Sequence, residues 1–301
     1  MAYPLSWPHL SFGRYTAKWL LARGACQNAG MPQLEAIYSH LWAAHGDEFS
    51  LLDRSLGPRS WTFLFDVAAE AGLGPNSIVA DVGCGRGSHC VELGKRFDCR
   101  AIGIDVVLPP LRSALLDQDR GSKIGFIQGN IEQLPIRTGG VDFVWCRDML
   151  VHVRDVVSGI GECSRILRDH GKMLAWVTVQ TELMEPREAE RLYAPLGVEA
   201  GSMSKHRLEA AFARAGFVIS RAEMLGSELM EFYEERDGRA SRELMRLARM
   251  TRMRETLMAQ WGRTKYDSAH ALYQWMVYLL LGKLNSGFYL LEKPATIHPG
   301  V

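Results

Sequence analysis

The stretch "IVADVGCGRGSHCVEL" (residues 78–93) decides the fold. It begins as an apolar, β-branched run from Ile78 to Val82. It breaks at a turn holding Gly83, Gly85 and Gly87, and resumes in helical pattern from Ser88. Glycines let a backbone take left-handed angles and approach a ligand closely. A turn that feeds a helix start also aims free N–H groups at an anion. Strand, glycine turn and helix in that order form the ligand-binding unit of an open α/β sheet.

The pattern repeats on either side. "SIVADV" (77–82), "AIGID" (101–105), "IGFIQ" (124–128), "VDFVWC" (141–146) and "KMLAWVTV" (172–179) read as five strands separated by helical stretches. Such near-continuous apolar strands belong in a parallel sheet covered on both faces, the doubly wound α/β class. A helix at 204–215 leads to a sixth strand, "GFVISRAEML" (216–225), and "GFYLLEK" (287–293) is the last. About sixty residues rich in Arg, Met and Leu lie between them, far more than a bare turn between strands needs. Residues 226–286 therefore read as a helical insertion, and 14–23, 33–44 and 60–71 as N-terminal helices. The division expected is 1–75 as an N-terminal helical lid, 76–225 with 287–295 as the core, and 226–286 as a cap.

The glycine spacing selects the ligand. A dinucleotide loop wants G-x-G-x-x-G; here the third glycine comes one residue early and Ser88 stands in its place. Together with Asp81, two residues before the loop, the stretch is similar to the hhDhGCGxG fingerprint of the class I S-adenosylmethionine-dependent methyltransferases. That resemblance implies a Rossmann-like, seven-stranded sheet of order 3-2-1-4-5-7-6 with an antiparallel last strand. It implies S-adenosyl-L-methionine as cofactor and S-adenosyl-L-homocysteine as product. It assigns the cofactor to Asp81, Gly83, Cys84, Gly85 and Gly87, and to Arg147 at the end of strand four. Asp105, at the end of the second strand, is placed to accept hydrogen bonds from ribose hydroxyls. "GFIQGNIEQLPI" (125–136) resembles the family's third element, with Asn130 where an Asp is usual. An amide oxygen still accepts a hydrogen bond from the adenine amino group, and Ile131 would supply a backbone contact and an apolar face. "RDHG" (168–171) stands where the family has a turn into strand five.

Ligands of such sheets sit outside the carboxyl ends of the strands. "WCRDMLVHV" (145–153) leaves the fourth strand there, and it resembles the "SRDxxLH" segment of phosphoethanolamine methyltransferases, residue by residue at Arg147, Asp148 and His152. If the segment is helical, Asp148 and His152 share one face, a turn apart. The resemblance makes His152 the candidate base and Asp148 its orienting partner or the partner of a cationic acceptor. A histidine titrates near neutrality and suits that task. The family's lid tyrosine has no clear counterpart: Tyr15, Tyr38 and Phe49 are the N-terminal candidates for touching the acceptor. Arg246 is the candidate from the cap, for an acidic group.

Glu228, Glu231, Glu234 and Glu235 precede Arg242, Arg246, Arg249, Arg252 and Arg254, an order that suits a helix macrodipole. "ALYQWMVYLLLGKL" (271–284) is apolar nearly all round, which fits core packing, a greasy substrate wall or a homodimer contact. The 35 basic residues balance 34 acidic ones, so no global field favours nucleic acid or an anionic surface. The amino-terminal residues lack a signal-peptide pattern, no apolar run reaches a membrane span, and six cysteines form no CxxC pair. A cytoplasmic, reducing setting is expected, with no metal site and a small-molecule partner. The expected activity is methyl transfer to a small molecule, nitrogen slightly favoured over oxygen or activated carbon. A non-catalytic cofactor-binding scaffold and a nicotinamide-dependent oxidoreductase are the alternatives.

Overall fold

The computed structural model describes residues 36–37, 52–116 and 123–295. The chain divides into two compact units, 1–55 and 56–301. Ala36 and Ile37 in the first are helical; Tyr15, Tyr38 and Phe49 lie outside the described residues. The second unit holds the β-sheet.

After α1 (Phe63–Glu70) come β1 (Ile78–Val82), α2 (Ser88–Phe97), β2 (Arg100–Asp105), α3 (Leu108–Leu116), β3 (Ile124–Gln128) and β4 (Val141–Arg147). A short 3-10 turn, Leu150–His152, leads to α4 (Val156–Ile166) and β5 (Leu167–Gln180). Then follow α5 (Pro186–Tyr193), α6 (Lys205–Arg214), β6 (Val218–Met224), the helices α7 (Glu228–Asp237), α8 (Arg239–Arg252), α9 (Arg254–Trp261) and α10 (Arg263–Leu280), and β7 (Leu284–Glu292).

The seven strands form one sheet of order β3-β2-β1-β4-β5-β7-β6. β1 to β5 pair in parallel, and β7 runs antiparallel between β5 and β6. Both faces are apolar, as the sequence pattern requires. Along β4, Val144 and Cys146 pack with Ile160 and Cys163 of α4, while Phe143 and Trp145 pack on the other face with Leu64 and Phe65 of α1. Phe65 stacks on Trp145 with ring centroids 5.0 Å apart. Alternate side chains of a strand point to opposite faces, so a strand covered on both sides must be apolar throughout.

The sequence expectation needs three corrections. The turn expected at 168–171 is a bulge inside β5: pairing with β4 jumps from Val141–Leu167 to Phe143–Lys172, and His170 takes φ 61° while its N–H donates to the Lys293 carbonyl. β7 begins three residues early, so Gly287 sits within the ladder; a Cβ there would collide with Met224 and the Glu223 carbonyl of β6. The acid-then-base run is not one helix. Gly238, at φ 65°, ends α7 after its glutamates and starts α8, so the macrodipole reading applies to neither charge block as a whole.

Because β7 is antiparallel, Met224 of β6 pairs with Gly287 of β7, and the four intervening helices leave and return at the carboxyl edge of the parallel strands. No helix among the described residues is long and apolar enough to cross a membrane.

Phe212 of α6 is fully buried and lies 5.2 Å, ring to ring, from Tyr289 of β7. Phe212→Ala should cost about 3–5 kcal/mol in urea unfolding, since a large aromatic cavity relaxes only partly. A loss under about 1 kcal/mol would mean that this face is loosely packed.

Candidate active site

The glycine turn has the backbone its sequence demands: Gly83, Gly85 and Gly87 lie at φ 81°, 54° and 74°. A Cβ on Gly83 would come within 2.6 Å of the Met149 side chain, and one on Gly87 would strike the Phe126 ring. Gly85 has open space around its Cβ position, so there the left-handed backbone alone selects glycine. The Gly85 N–H donates to Asp105 Oδ2 at 2.8 Å, and Val107 N–H donates to Oδ1 at 2.8 Å. The end of β2 is thereby tied to the loop after β1.

A cavity of about 690 Å³ opens at this edge. Gly83, Asp105, Asn130 and Ile131 line it from the β1 to β3 side, and Arg147, Asp148 and His152 from the β4 side. Asn130 closes a small turn, its Oδ1 accepting from the Glu132 N–H at 3.1 Å, which leaves the oxygen one more lone pair. Cys84, Gly85 and Gly87 shape the loop behind the wall without lining the cavity. Asp81 is 1% exposed and its Oδ2 accepts a hydrogen bond from the Cys90 thiol at 3.2 Å. Burial raises its carboxyl to about 7, against the opposing pull of Cys90 and Arg147.

A second cavity of about 320 Å³ shares Arg147, Asp148 and His152 with the first. Its other walls are mostly apolar: Trp176 of β5, Leu229 and Tyr233 of α7, and Leu272, Trp275 and Met276 of α10. A buried hydroxyl pair, Thr178 with Ser286 at 2.9 Å, and Arg239 at the start of α8 add polarity. Arg239 lies over the Tyr233 ring at 4.1 Å and pairs with Asp237 at 3.5 Å. The apolar stretch of α10 thus forms a cavity wall on one side. Arg246 lines neither cavity; it pairs with Glu243 at 2.9 Å, and Arg239 is the cap arginine that reaches the second one.

The shared wall departs from a helix. Asp148 adopts φ 57°, between the end of β4 and the 3-10 turn, so it and His152 do not share a helix face. Both nevertheless line the two cavities, Asp148 from the left-handed kink and His152 from the 3-10 turn. Asp148 is half exposed yet walled by protein, and this desolvation raises its pKa while Arg147 opposes the shift. His152 Nδ1 lies 3.0 Å from the Gly197 carbonyl. A carbonyl only accepts, so Nδ1 carries a proton, and in the neutral ring the lone pair then lies on Nε2. Gly197, not Asp148, therefore orients the ring.

Arg147 is held from several sides. Its guanidinium lies over the Trp61 ring at 4.6 Å, Nη1 is 2.7 Å from His89 Nε2, and Nε is 3.1 Å from Asp148 Oδ2. Sequence reasoning does not single out His89, Trp61, Trp176, Tyr233 or Arg239. His89 alone carries a signal there, as a polar residue in the first turn of the helix after the glycine loop. Among the described residues no three His, Cys, Asp or Glu side chains gather to hold a metal ion.

Asp81 generates a pH prediction. Below its ordinary value of 3.8 it is protonated folded or unfolded; between there and about 7 only the folded state keeps the proton. Stability should fall as pH rises through that window and level off above it, with Asp148 contributing in the same direction. Asp81→Asn should flatten the fall in the urea midpoint between about pH 5 and about pH 8; an unchanged slope would show that Asp81 does not titrate there.

Residues 80–175, about a third of the chain, match the model of a methyltransferase domain. The ubiquinone biosynthesis O-methyltransferase of Escherichia coli O6:H1 is 31% identical over 141 residues, covering 46% of this chain and 56% of that protein. The chain thus spans about half the length of the curated relatives it matches. Among solved structures, the [4+2]-cyclase SpnF superposes with a TM-score of 0.62 at 20% identity, covering 81% of this chain and 86% of that one. Phosphoethanolamine N-methyltransferase 2 of Haemonchus contortus, solved with phosphomonomethylethanolamine and S-adenosylhomocysteine, gives 0.61 at 16%, covering 86% and 57%. With the observed strand order, these likenesses make the fold the Rossmann-like one of the methyltransferases.

Proposed function

We propose that this chain transfers a methyl group from S-adenosyl-L-methionine, bound in the larger cavity, to an apolar small molecule bound in the smaller one. One observation carries the reading: the two cavities share a wall, and that wall is Arg147, Asp148 and His152. In this reading residues 76–225 with 287–295 form the cofactor-binding core and 226–286 the cap of the acceptor cavity. The match to a methyltransferase domain over 80–175 supports it, because that segment runs from within β1 through β4 and holds the shared wall.

The residues present fit the cofactor. Gly83 lines the cavity, and a Cβ there would displace the Met149 side chain, which lines it too. Asp105 spends one lone pair per oxygen on backbone N–H groups and keeps capacity for ribose hydroxyls. Asn130 retains a lone pair for an adenine amino group, and the buried Ile131 offers an apolar surface to the ring. The cavity volume lies within the range of small-molecule and cofactor sites. The bound cofactor supplies an already activated methyl group. The protein then has to hold the acceptor in line, exclude water and take up a proton.

His152 is suited to take that proton, since its Nε2 lone pair is free while Nδ1–H is fixed to Gly197. The charges of the smaller cavity bear on the acceptor. Two guanidiniums, Arg147 and Arg239, face it against one carboxylate, Asp148, whose burial disfavours ionisation. With Asp237 already paired to Arg239, a protonated amine would find two guanidiniums beside it and only Asp148 to accept from it, whereas a hydroxyl oxygen that grows negative as its proton leaves would be stabilised by the guanidiniums. We therefore place oxygen ahead of nitrogen, reversing the preference drawn from the strand-four resemblance. The SpnF likeness keeps one other reading in view: a cap over this fold holding an apolar substrate for a reaction that transfers no methyl.

The test is formation of S-adenosylhomocysteine when the full chain is incubated with S-adenosylmethionine and a panel of phenols, enols and amines. With the best acceptor, His152→Ala should lower turnover by roughly 10²–10⁴-fold, far more than any change in S-adenosylhomocysteine affinity from the trimmed cavity wall. Unaltered turnover would remove His152 as the base; absence of product with every acceptor would favour the cyclase-like reading.

A further inference from the structure

Arg147 is a charged group in a largely desolvated place, and its surroundings are built around it. Trp61 fixes the plane of its guanidinium from one side. Asp148 faces Nε, which is buried and makes no aligned hydrogen bond. Nη1 points at His89 Nε2 from 2.7 Å. Nη2 has no hydrogen-bond partner among the described residues, and the side chain as a whole lines the larger cavity beside Val82 and Gly83. An oriented fork with an unused arm is the geometry that takes up a carboxylate.

His89 is the unusual member. Its two ring nitrogens face two obligate donors, Arg147 Nη1 at 2.7 Å and Trp145 Nε1 at 3.3 Å. A neutral imidazole has one in-plane lone pair, and the shorter contact assigns it to Nε2. Protonation would remove that acceptor and set a second cation against Arg147. Burial and the arginine's own charge hold the His89 pKa down to about 4, so the ring is neutral at physiological pH. The edges of Trp61, Phe65 and Trp145 surround it, at centroid distances of 5.0, 6.5 and 5.8 Å. A histidine held neutral at physiological pH, packed among aromatics at the base of the glycine-loop helix, acts as an acceptor and not as a proton carrier.

We propose that His89 is a positioning residue: by accepting from Arg147 it holds that guanidinium at the cavity wall as the docking group for the α-carboxylate of the cofactor's amino-acid arm. The inference rests on the methyltransferase reading proposed for this site. It concerns binding of one end of the ligand, so it is separable from chemistry at the other. The same anchoring fixes Nε against Asp148, so one buried histidine sets the geometry of the wall shared by both cavities.

Calorimetric titration of the full chain with S-adenosylhomocysteine and with 5′-methylthioadenosine, which lacks the amino-acid arm, tests this directly. His89→Phe keeps the ring's bulk and removes the acceptor; it should weaken S-adenosylhomocysteine by about tenfold, the scale of a charge-assisted hydrogen bond, and leave 5′-methylthioadenosine unchanged. His89→Gln places an amide oxygen near the Nε2 position and should restore most of that affinity. Trp61→Leu, which removes the stack from the other side, should show the same selectivity for the arm. Equal weakening of both ligands in His89→Phe, no weakening of either, or a His89→Gln variant as impaired as His89→Phe would overturn the positioning role. Failure of the unaltered chain to bind either ligand would overturn the methyltransferase reading, and this inference with it.

Discussion

A guanidinium and a carboxylate at the end of a core strand must find partners or be expelled, because desolvating an ion costs several kcal/mol even after relaxation. Arg147 and Asp148 follow six residues of β4 that are mostly inaccessible to solvent, and the rest of the site is arranged to keep them there. Trp61 and His89 hold the arginine from the side of α1 and α2. The left-handed turn at Asp148 brings its carboxylate back against Arg147. The cost of that turn, of order 1–3 kcal/mol for a non-glycine residue, puts one charged pair on the wall of two cavities at once.

Topology makes the second cavity. A seventh strand inserted antiparallel between β5 and β6 returns the chain from the edge where the parallel strands end. Any long insertion before that strand must rise over the same edge. The helices from 228 to 280 do so, and they present Leu229, Tyr233, Leu272, Trp275 and Met276 inward. Apolar residues so placed are stabilised by burial, and in the proposed function they select an apolar guest. Arg239, held by Asp237 and the Tyr233 ring, is the polar exception on the cap side.

Much of this is legible in the sequence, for reasons that can be named. β1 to β4 can be found to within a residue or so because strands buried on both faces are short apolar runs, and because glycine punctuates them. The loop is legible because three glycines at those spacings have few other uses. Asp148 and His152 stand out in the sequence, and both line the two cavities, but not for the reason helical spacing suggests, because a left-handed residue cannot be read from an Asp. The start of β5 is misplaced because a bulge keeps a polar "RDHG" inside a ladder. His89, Trp61 and Arg239 escape notice because their meaning lies in contacts across 58, 86 and 6 residues of chain, with Arg147, Arg147 and Tyr233 respectively. Pattern within one element carries no trace of those.

The central claim is that the charged wall at the end of β4 divides a cofactor cavity from an acceptor cavity. An experimental structure of the chain with S-adenosylhomocysteine tests it most directly. The account predicts adenine beside Ile131, the ribose on Asp105, and the sulfur against Asp148 and His152, facing the space walled by Trp176, Tyr233 and Trp275. A sulfur directed away from that space, or a ligand bound outside the larger cavity, would contradict it.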